Sequence, residues 1–242
     1  MNDDLFIKSI EFKRDLVEDF NIYPFNIDLI KNFKSLELDT PVTFLIGENG
    51  IGKSTFIEAL AVACGLNPEG GTQNFMFSTR ETHSCLHSYI EIPTFQRRCQ
   101  TKFFLRAESF YNVATEIDSL QVGGYGKRSL HSCSHGESFL QLIQNRFTEN
   151  GLYILDEPEA ALSPTRQMTL LCLIDELVKK GSQFIIATHS PILISYINGK
   201  ILDLNENFSE VKYEDTEAYQ VYKMYLDNPY GMQNKLFDEE ID

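Results

Sequence analysis

Apolar residues along this chain fall into two patterns. Val42–Ile46, Gly151–Leu155 and Gln183–Ala187 are short continuous apolar runs that close on polar tips, the form of strands buried on both faces. Leu5–Phe12 and Tyr23–Ile30 instead alternate apolar and polar residues, which predicts antiparallel strands with one covered face. Leu86–Ile92 and Thr101–Leu105 predict two further strands. Helical spacing runs through Thr55–Val62, Phe110–Leu120, Glu137–Phe147, Thr165–Lys180 and Asp215–Leu226, with Gly181 stopping the fourth. Gly65–Thr79 and Gln121–Ser132 are glycine-bearing loops. Neither a heptad run nor an internal repeat is present. The order predicts an antiparallel β portion followed by α/β.

The segment joining the first continuous run to the first helix carries the chemistry. Gly47-Glu48-Asn49-Gly50-Ile51-Gly52-Lys53-Ser54-Thr55 fits G-x-x-x-x-G-K-[ST], between a predicted strand and a predicted helix. Glycines permit a tight turn in which successive N–H groups and the helix N-terminus converge on phosphate oxygens. Asn49, Gly50, Gly52, Lys53, Ser54 and Thr55 are therefore the expected phosphate contacts. Lys53 would neutralise the β- and γ-phosphates, and the Ser54 hydroxyl would enter a Mg²⁺ shell.

Two later strand tips add to this. Gly151–Leu155 runs into Asp156-Glu157-Pro158, where proline ends the ladder. Asp156 is placed to hold Mg²⁺ or its water shell, and Glu157 to orient or deprotonate an attacking water. Gln183–Ala187 ends in Thr188-His189-Ser190, and His189 could donate to a γ-phosphate. Catalytic candidates are thus Lys53, Glu157 and His189, with Ser54 and Asp156 as metal ligands.

The order of these motifs resembles that of the ABC-type ATPases: phosphate loop, signature, Asp-Glu strand, switch histidine. The signature position is Ser134-His135-Gly136-Glu137, with His135 in place of the usual first glycine; the successive intervals Lys53 to Ser134, Ser134 to Asp156 and Asp156 to His189 are 81, 22 and 33 residues. The resemblance implies a P-loop NTPase fold of ABC type, with an N-terminal antiparallel β subdomain and a helical signature region. It also implies ATP and Mg²⁺ as cofactors, and a homodimer in which Ser134, Gly136 and Glu137 of one copy close over ATP held by the other. Ala160-Ala161-Leu162-Ser163 stands at the D-loop. The Q-loop position lacks glutamine, leaving Arg106 or Glu108 to replace it. Cys133-Ser134-His135-Gly136-Glu137 and Pro158-Glu159-Ala160-Ala161 depart from the transporter forms of these motifs. They are more similar to the SMC-like and RecF-like branch, and to small bacterial ATPases labelled AAA family. That branch implies a soluble ATPase driving a partner in DNA maintenance or mobile-element defence. A non-hydrolytic ATP-dependent switch and a transporter subunit are the alternatives.

Composition narrows the partners. With 242 residues, 43% of them hydrophobic, the chain can bury one large core, and one ATPase domain spanning 1–242 is expected, its core at about 5–205. No apolar run approaches the roughly 20 residues of a membrane helix, and the acidic Met1–Asp4 start predicts no cleavable signal. Five cysteines, an odd count, fit reduced thiols and a cytoplasmic location. The net charge is −14, and from Ile201 onward eleven acidic residues face three basic ones, in an acidic C-terminal helical extension over 206–242. That charge opposes tight unassisted binding of nucleic acid and points to a protein partner.

Two further patterns carry less weight. His83-Ser84-Cys85-Leu86-His87 and His131-Ser132-Cys133-Ser134-His135 could offer zinc ligands, but the second overlaps the signature, so a metal site there is not expected. Tyr23 lies 30 residues before Lys53, where many ABC domains place an adenine-stacking ring; a strand tyrosine in the core is the competing reading.

Overall fold

The computed structural model describes residues 5–71, 84–93, 97, 99–108 and 135–237. Its centre is a six-stranded sheet of β3 (Val42–Ile46), β5 (Thr101–Arg106), β6 (Gly151–Asp156), β7 (Gln183–Ala187), β8 (Gly199–Asp203) and β9 (Ser209–Glu210), in the order β5-β6-β7-β3-β8-β9. The first five strands in that order are parallel, and β9 pairs antiparallel to β8. A second sheet, antiparallel, is built from β1 (Ser9–Phe12), β2 (Ser35–Glu37) and β4 (Ile90–Glu91) in the order β2-β1-β4.

The two-residue period of the central strands divides the core in two. Phe44, Phe103, Leu105, Tyr153, Leu155, Phe184 and Ile186 face α3 (His135–Arg146) and α4 (Pro164–Lys179). Leu45, Phe104, Leu152, Ile154 and Ile185 face α2 (Lys53–Ala63) and the antiparallel sheet. Both faces are covered, which is why these strands read as unbroken apolar runs. The same parity puts Asp156, the last residue of β6, on the α2 side.

A buried glutamine joins the two sheets. Gln183 at the start of β7 accepts from Phe6 N and Ile7 N at 2.9 Å through Oε1, and donates from Nε2 to Ile7 O at 2.8 Å. Three main-chain groups that no ladder reaches are thereby satisfied.

The strand predicted at Tyr23–Ile30 is a turn followed by the short helix α1 (Asp28–Asn32). Phe25, Leu29, Ile30 and Phe33 are all buried, a spacing that fits a helical face better than alternation. Ser35–Glu37 takes the place beside β1 instead. Leu86–Ile92 is mostly a 3₁₀ turn, Cys85–Tyr89, leading into the two residues of β4. The other helices match prediction within about two residues, the usual uncertainty of helix ends. Residues 217–237 form α5 (Glu217–Asp227) and α6 (Pro229–Phe237), neither of which has a buried residue. The helix predicted at Phe110–Leu120, the loop Gln121–Ser132 and most of Gly65–Thr79 lie outside the described residues. Among the described residues no helix is long and apolar enough to cross a membrane, and Cys64, Cys85, Cys99 and Cys172 are free thiols.

Candidate active site

The phosphate loop fills the gap between the tip of β3 and the N-terminus of α2. Gly52 holds φ +107°, and a Cβ on it would lie 2.8 Å from Ile27 Cγ2, so conformation and space both require glycine. Lys53 opens α2 and folds back, donating from Nζ to Gly47 O at 2.8 Å and Glu48 O at 2.9 Å. Burial lowers the Lys53 pKa, opposed by the nearby Glu157, Asp156 and Glu159 carboxylates. Asn205, after β8, accepts from Glu48 N at 3.2 Å and fixes the loop's outer side.

Asp156 and Glu157 stand opposite the loop with contrasting surroundings. Asp156 is 3% exposed, and its Oδ1 accepts from Ser54 Oγ at 3.4 Å. Arg106, from the end of β5, puts Nε 3.3 Å from Asp156 Oδ2 and donates from Nη1 to Glu58 Oε2 of α2 at 3.0 Å. Burial raises the Asp156 pKa from 3.8 to about 6; Glu157 adds to the rise, while Arg106 and the Ser54 hydrogen bond oppose it. Glu157, one residue on, is a non-glycine residue in the left-handed region, φ 49° and ψ 51°, with its N–H donating to Ala187 O at 2.9 Å. Strain of that kind is held in place by surrounding structure and collects at functional sites.

His189 follows β7. Its Nε2 lies 3.6 Å from Glu157 Oε1, beyond hydrogen-bond length, and has no hydrogen-bond partner among the described residues. Glu48, Asn49, Glu157, Glu159, His189 and Glu217 line one open cleft of about 520 Å³. Beside it, Tyr23, Asn49, Gly50, Lys53, Ser54 and Glu157 line a second of about 380 Å³, which Gly52 and Thr55 complete.

The candidates Lys53, Ser54, Asp156, Glu157 and His189, 136 residues apart at their extremes, are thus brought together. Tyr23 is 61% exposed on a turn at the mouth of the second cleft, neither in a strand nor in the core. Of the two Q-loop candidates, Arg106 reaches Asp156, while Glu108 is mostly exposed and pairs with Arg106 at 3.5 Å. The Ser54 hydroxyl beside a buried carboxylate is a hard-oxygen donor pair, and it fits Mg²⁺.

Gly136 and Glu137 line neither cleft. Gly136 is buried where a Cβ would come 2.9 Å from Ala161 O and 2.6 Å from Arg166 Nη1, and Glu137 pairs with Arg166 at 3.3 Å. The start of α3 therefore rests on the turn Pro158–Ala161 and on Arg166 of α4 in its own chain. Ser134 lies outside the described residues, as do His83, His131 and Cys133. Among the described residues no group of three metal-ligating side chains forms.

Sequence reasoning passed over Glu58, Glu159, Gln167 and Asn205. Glu159 was visible beside the Asp-Glu pair, and only its partner was hidden. Gln167 sits on α4, donates to Leu162 O at 3.1 Å and accepts from Ser190 Oγ at 2.5 Å, tying the D-loop to the turn after β7.

Residues 17–151, more than half the chain, match a family described as "AAA domain", and residues 118–195 match one described as "AAA domain, putative AbiEii toxin, Type IV TA system". The chain is 26% identical over 196 residues to a cobalt import ATP-binding protein CbiO of Salmonella paratyphi A, covering 72% of each. It is 35% identical over 106 residues to a "Putative ABC transporter ATP-binding protein" of Methanosarcina acetivorans, covering 43% of this chain and 38% of the other. Similar solved structures include the SMC head domain from Thermotoga maritima (14% identity, TM-score 0.46, 82% and 95% covered). Another is cbiO1 from Clostridium perfringens, part of the transporter complex cbiONQ (14% identity, TM-score 0.43, 84% and 90% covered). With residues 17–151 matched, the chain, whose phosphate loop and Asp-Glu strand stand on one parallel sheet, belongs to the AAA-domain family.

Proposed function

We propose that this chain binds Mg·ATP at residues 47–55 and hydrolyses it, and that two copies close head to tail around two nucleotides to drive a partner protein. The observation that carries the reading is the meeting of Lys53, Ser54, Glu157 and His189 at two clefts that share Asn49 and Glu157, with Asp156 bonded to Ser54 beneath them. Asn49, Gly50, Gly52 and Thr55 would contact the phosphates through the loop, and Tyr23 is placed to stack on the base. Mg²⁺, held by Ser54 and Asp156, would offset charge on the phosphate oxygens. Glu157 would orient the attacking water and take its proton. Lys53 would stabilise the developing charge on the phosphates, and His189 would donate to the γ-phosphate. Ser134, Gly136 and Glu137 would meet the γ-phosphate of the other copy, in keeping with Gly136 and Glu137 lining neither cleft of their own chain.

Glu157→Gln tests the assignment. Turnover is expected to fall by roughly 10²-fold or more with ATP affinity retained, the scale of losing a positioned base. Light scattering of this variant with Mg·ATP should give twice the mass of the nucleotide-free form. Wild-type turnover in Glu157→Gln would remove Glu157 as the base, and a mass indifferent to bound ATP would remove the trans site.

The partner belongs, on this reading, to the SMC-like type of work in DNA maintenance or mobile-element defence, supported by the Ser134–Glu137 and Pro158–Ala161 forms. The likeness to cobalt import proteins favours a second reading, a transporter's ATP-binding subunit. Fractionation of cells separates them: co-purification with a membrane permease supports the second reading, and recovery with soluble protein or nucleoprotein the first.

A further inference from the structure

We propose that Glu159 is a positioning residue for His189: its carboxylate fixes the main chain of the turn after β7 so that the imidazole faces Glu157. The inference rests on the ATPase reading above and names a residue which that reading does not use.

The argument starts from main-chain donors at the end of β7. Glu157 N donates to Ala187 O, and Thr188 N to Leu45 O at 3.2 Å, so both neighbouring strands are spent by Thr188. The next donor, His189 N, has no ladder partner left. Glu159, on the 3₁₀ turn Pro158–Ala161, supplies one: its Oε1 accepts from His189 N at 2.6 Å. This is a short, charge-assisted hydrogen bond between the segment after Glu157 and the residue that faces Glu157. The second oxygen, Oε2, is buried and has no hydrogen-bond partner among the described residues. A carboxylate oxygen buried without a partner is costly, and the other oxygen's one bond is spent on the candidate histidine's backbone.

The residues flanking His189 are held independently. Thr188 is tied to Leu45. Ser190 Oγ donates to the buried Gln167 Oε1 at 2.5 Å and accepts from Ile192 N at 3.1 Å and Leu193 N at 3.2 Å. Removing Glu159 therefore releases one main-chain group between two fixed ones. The turn keeps its place and only the setting of the histidine loosens. A displacement of about 1 Å in a group that must meet the γ-phosphate can cost up to 10²-fold in rate.

The acceptor and the charge can be separated by substitution. Glu159→Gln retains an oxygen at the same reach and can accept from His189 N, whereas Glu159→Ala retains nothing. Steady-state ATP turnover of wild type, Glu159→Ala and Glu159→Gln is the experiment, with melting temperatures measured beside it. Expected are a kcat about 10-fold or more lower in Glu159→Ala with KM within about 2-fold, and Glu159→Gln within about 3-fold of wild type. An unaltered kcat in Glu159→Ala overturns the proposal. So does an equal loss in both variants, which would make Glu159 an electrostatic group. If the wild type itself turns over no ATP, the ATPase reading fails and the positioning role is judged by NMR of histidine-labelled protein. His189 imidazole signals, assigned with His189→Gln, must shift in Glu159→Ala and stay in Glu159→Gln; unmoved signals in Glu159→Ala overturn it.

Discussion

Replacing Asp156 by asparagine should make the nucleotide-free protein more stable, and by an amount set by pH. The folded chain raises this carboxyl from its ordinary 3.8 to about 6, chiefly by burial. Between those values the folded state keeps a proton that the unfolded state has released. Stability therefore falls as pH rises from about 4, and the penalty is complete above about 6. At about 1.36 kcal/mol for each tenfold change in acidity, the charged Asp156 costs the fold about 3 kcal/mol at pH 7. Asparagine cannot ionise, and its carbonyl can still accept from Ser54. The variant should gain about 2–3 kcal/mol at pH 7.5, roughly 5–10 °C in Tm for a chain of this size. At pH 4.5 the gain should shrink to about 1 kcal/mol, because most of the wild-type penalty is already gone there. Urea or thermal unfolding without nucleotide or magnesium, at both pH values, measures it. A destabilised Asp156→Asn at pH 7.5, or a gain of equal size at both pH values, would refute the argument. Under the proposed function the order reverses when Mg·ATP is added, since only the aspartate gains from the cation.

Gln183→Ala should cost about 3–5 kcal/mol, because it leaves Phe6 N, Ile7 N and Ile7 O buried and unpaired; the urea midpoint reads this directly. Gly136→Ala should cost about 1–3 kcal/mol and lower turnover more than nucleotide affinity, since its Cβ would press on the Ala161 carbonyl of the D-loop. The lone protein should bind duplex DNA no tighter than roughly 10⁻⁶ M at physiological salt, as its −14 charge demands; nanomolar, salt-sensitive binding in fluorescence anisotropy would make it a direct DNA-clamping ATPase.

The central sheet could be read from sequence because its strands are buried on both sides, and continuous apolar runs such as Val42–Ile46 and Gln183–Ala187 have few other homes. The Tyr23–Ile30 error came from the ambiguity of a short amphipathic stretch. Phe25, Leu29, Ile30 and Phe33 satisfy helical spacing once Phe33 is included, and the window drawn for alternation stopped before it. Lys53 could be named because it completes a G-x-x-x-x-G-K-[ST] motif, and Asp156, Glu157 and His189 because each stands at or just past the polar tip of a continuous apolar strand. The partners of Arg106 and Glu159 could not be read, for a different reason. Those partners, Asp156 and His189, are 50 and 30 residues away, and only the parallel order β5-β6-β7 makes them neighbours.

The cleft is also where the chain departs from what stability alone would select. Asp156 is a buried charge with a raised pKa, and Glu157 adopts a backbone conformation that favours glycine. Glu159 Oε2 and His189 Nε2 lack hydrogen-bond partners among the described residues. All four fall on the tips of β6 and β7 or the turns that follow them. A stretch chosen only for packing would read aliphatic-Asn-Gly here and keep its polar atoms paired. Costs concentrated on a few consecutive residues are what a site retained for its chemistry should show. The same logic separates Gly136 from this group: its constraint is a close approach to Ala161, a packing requirement within one chain. The γ-phosphate role proposed for Gly136 therefore depends on a second copy, whereas the case for Asp156, Glu157 and His189 stands on the single chain.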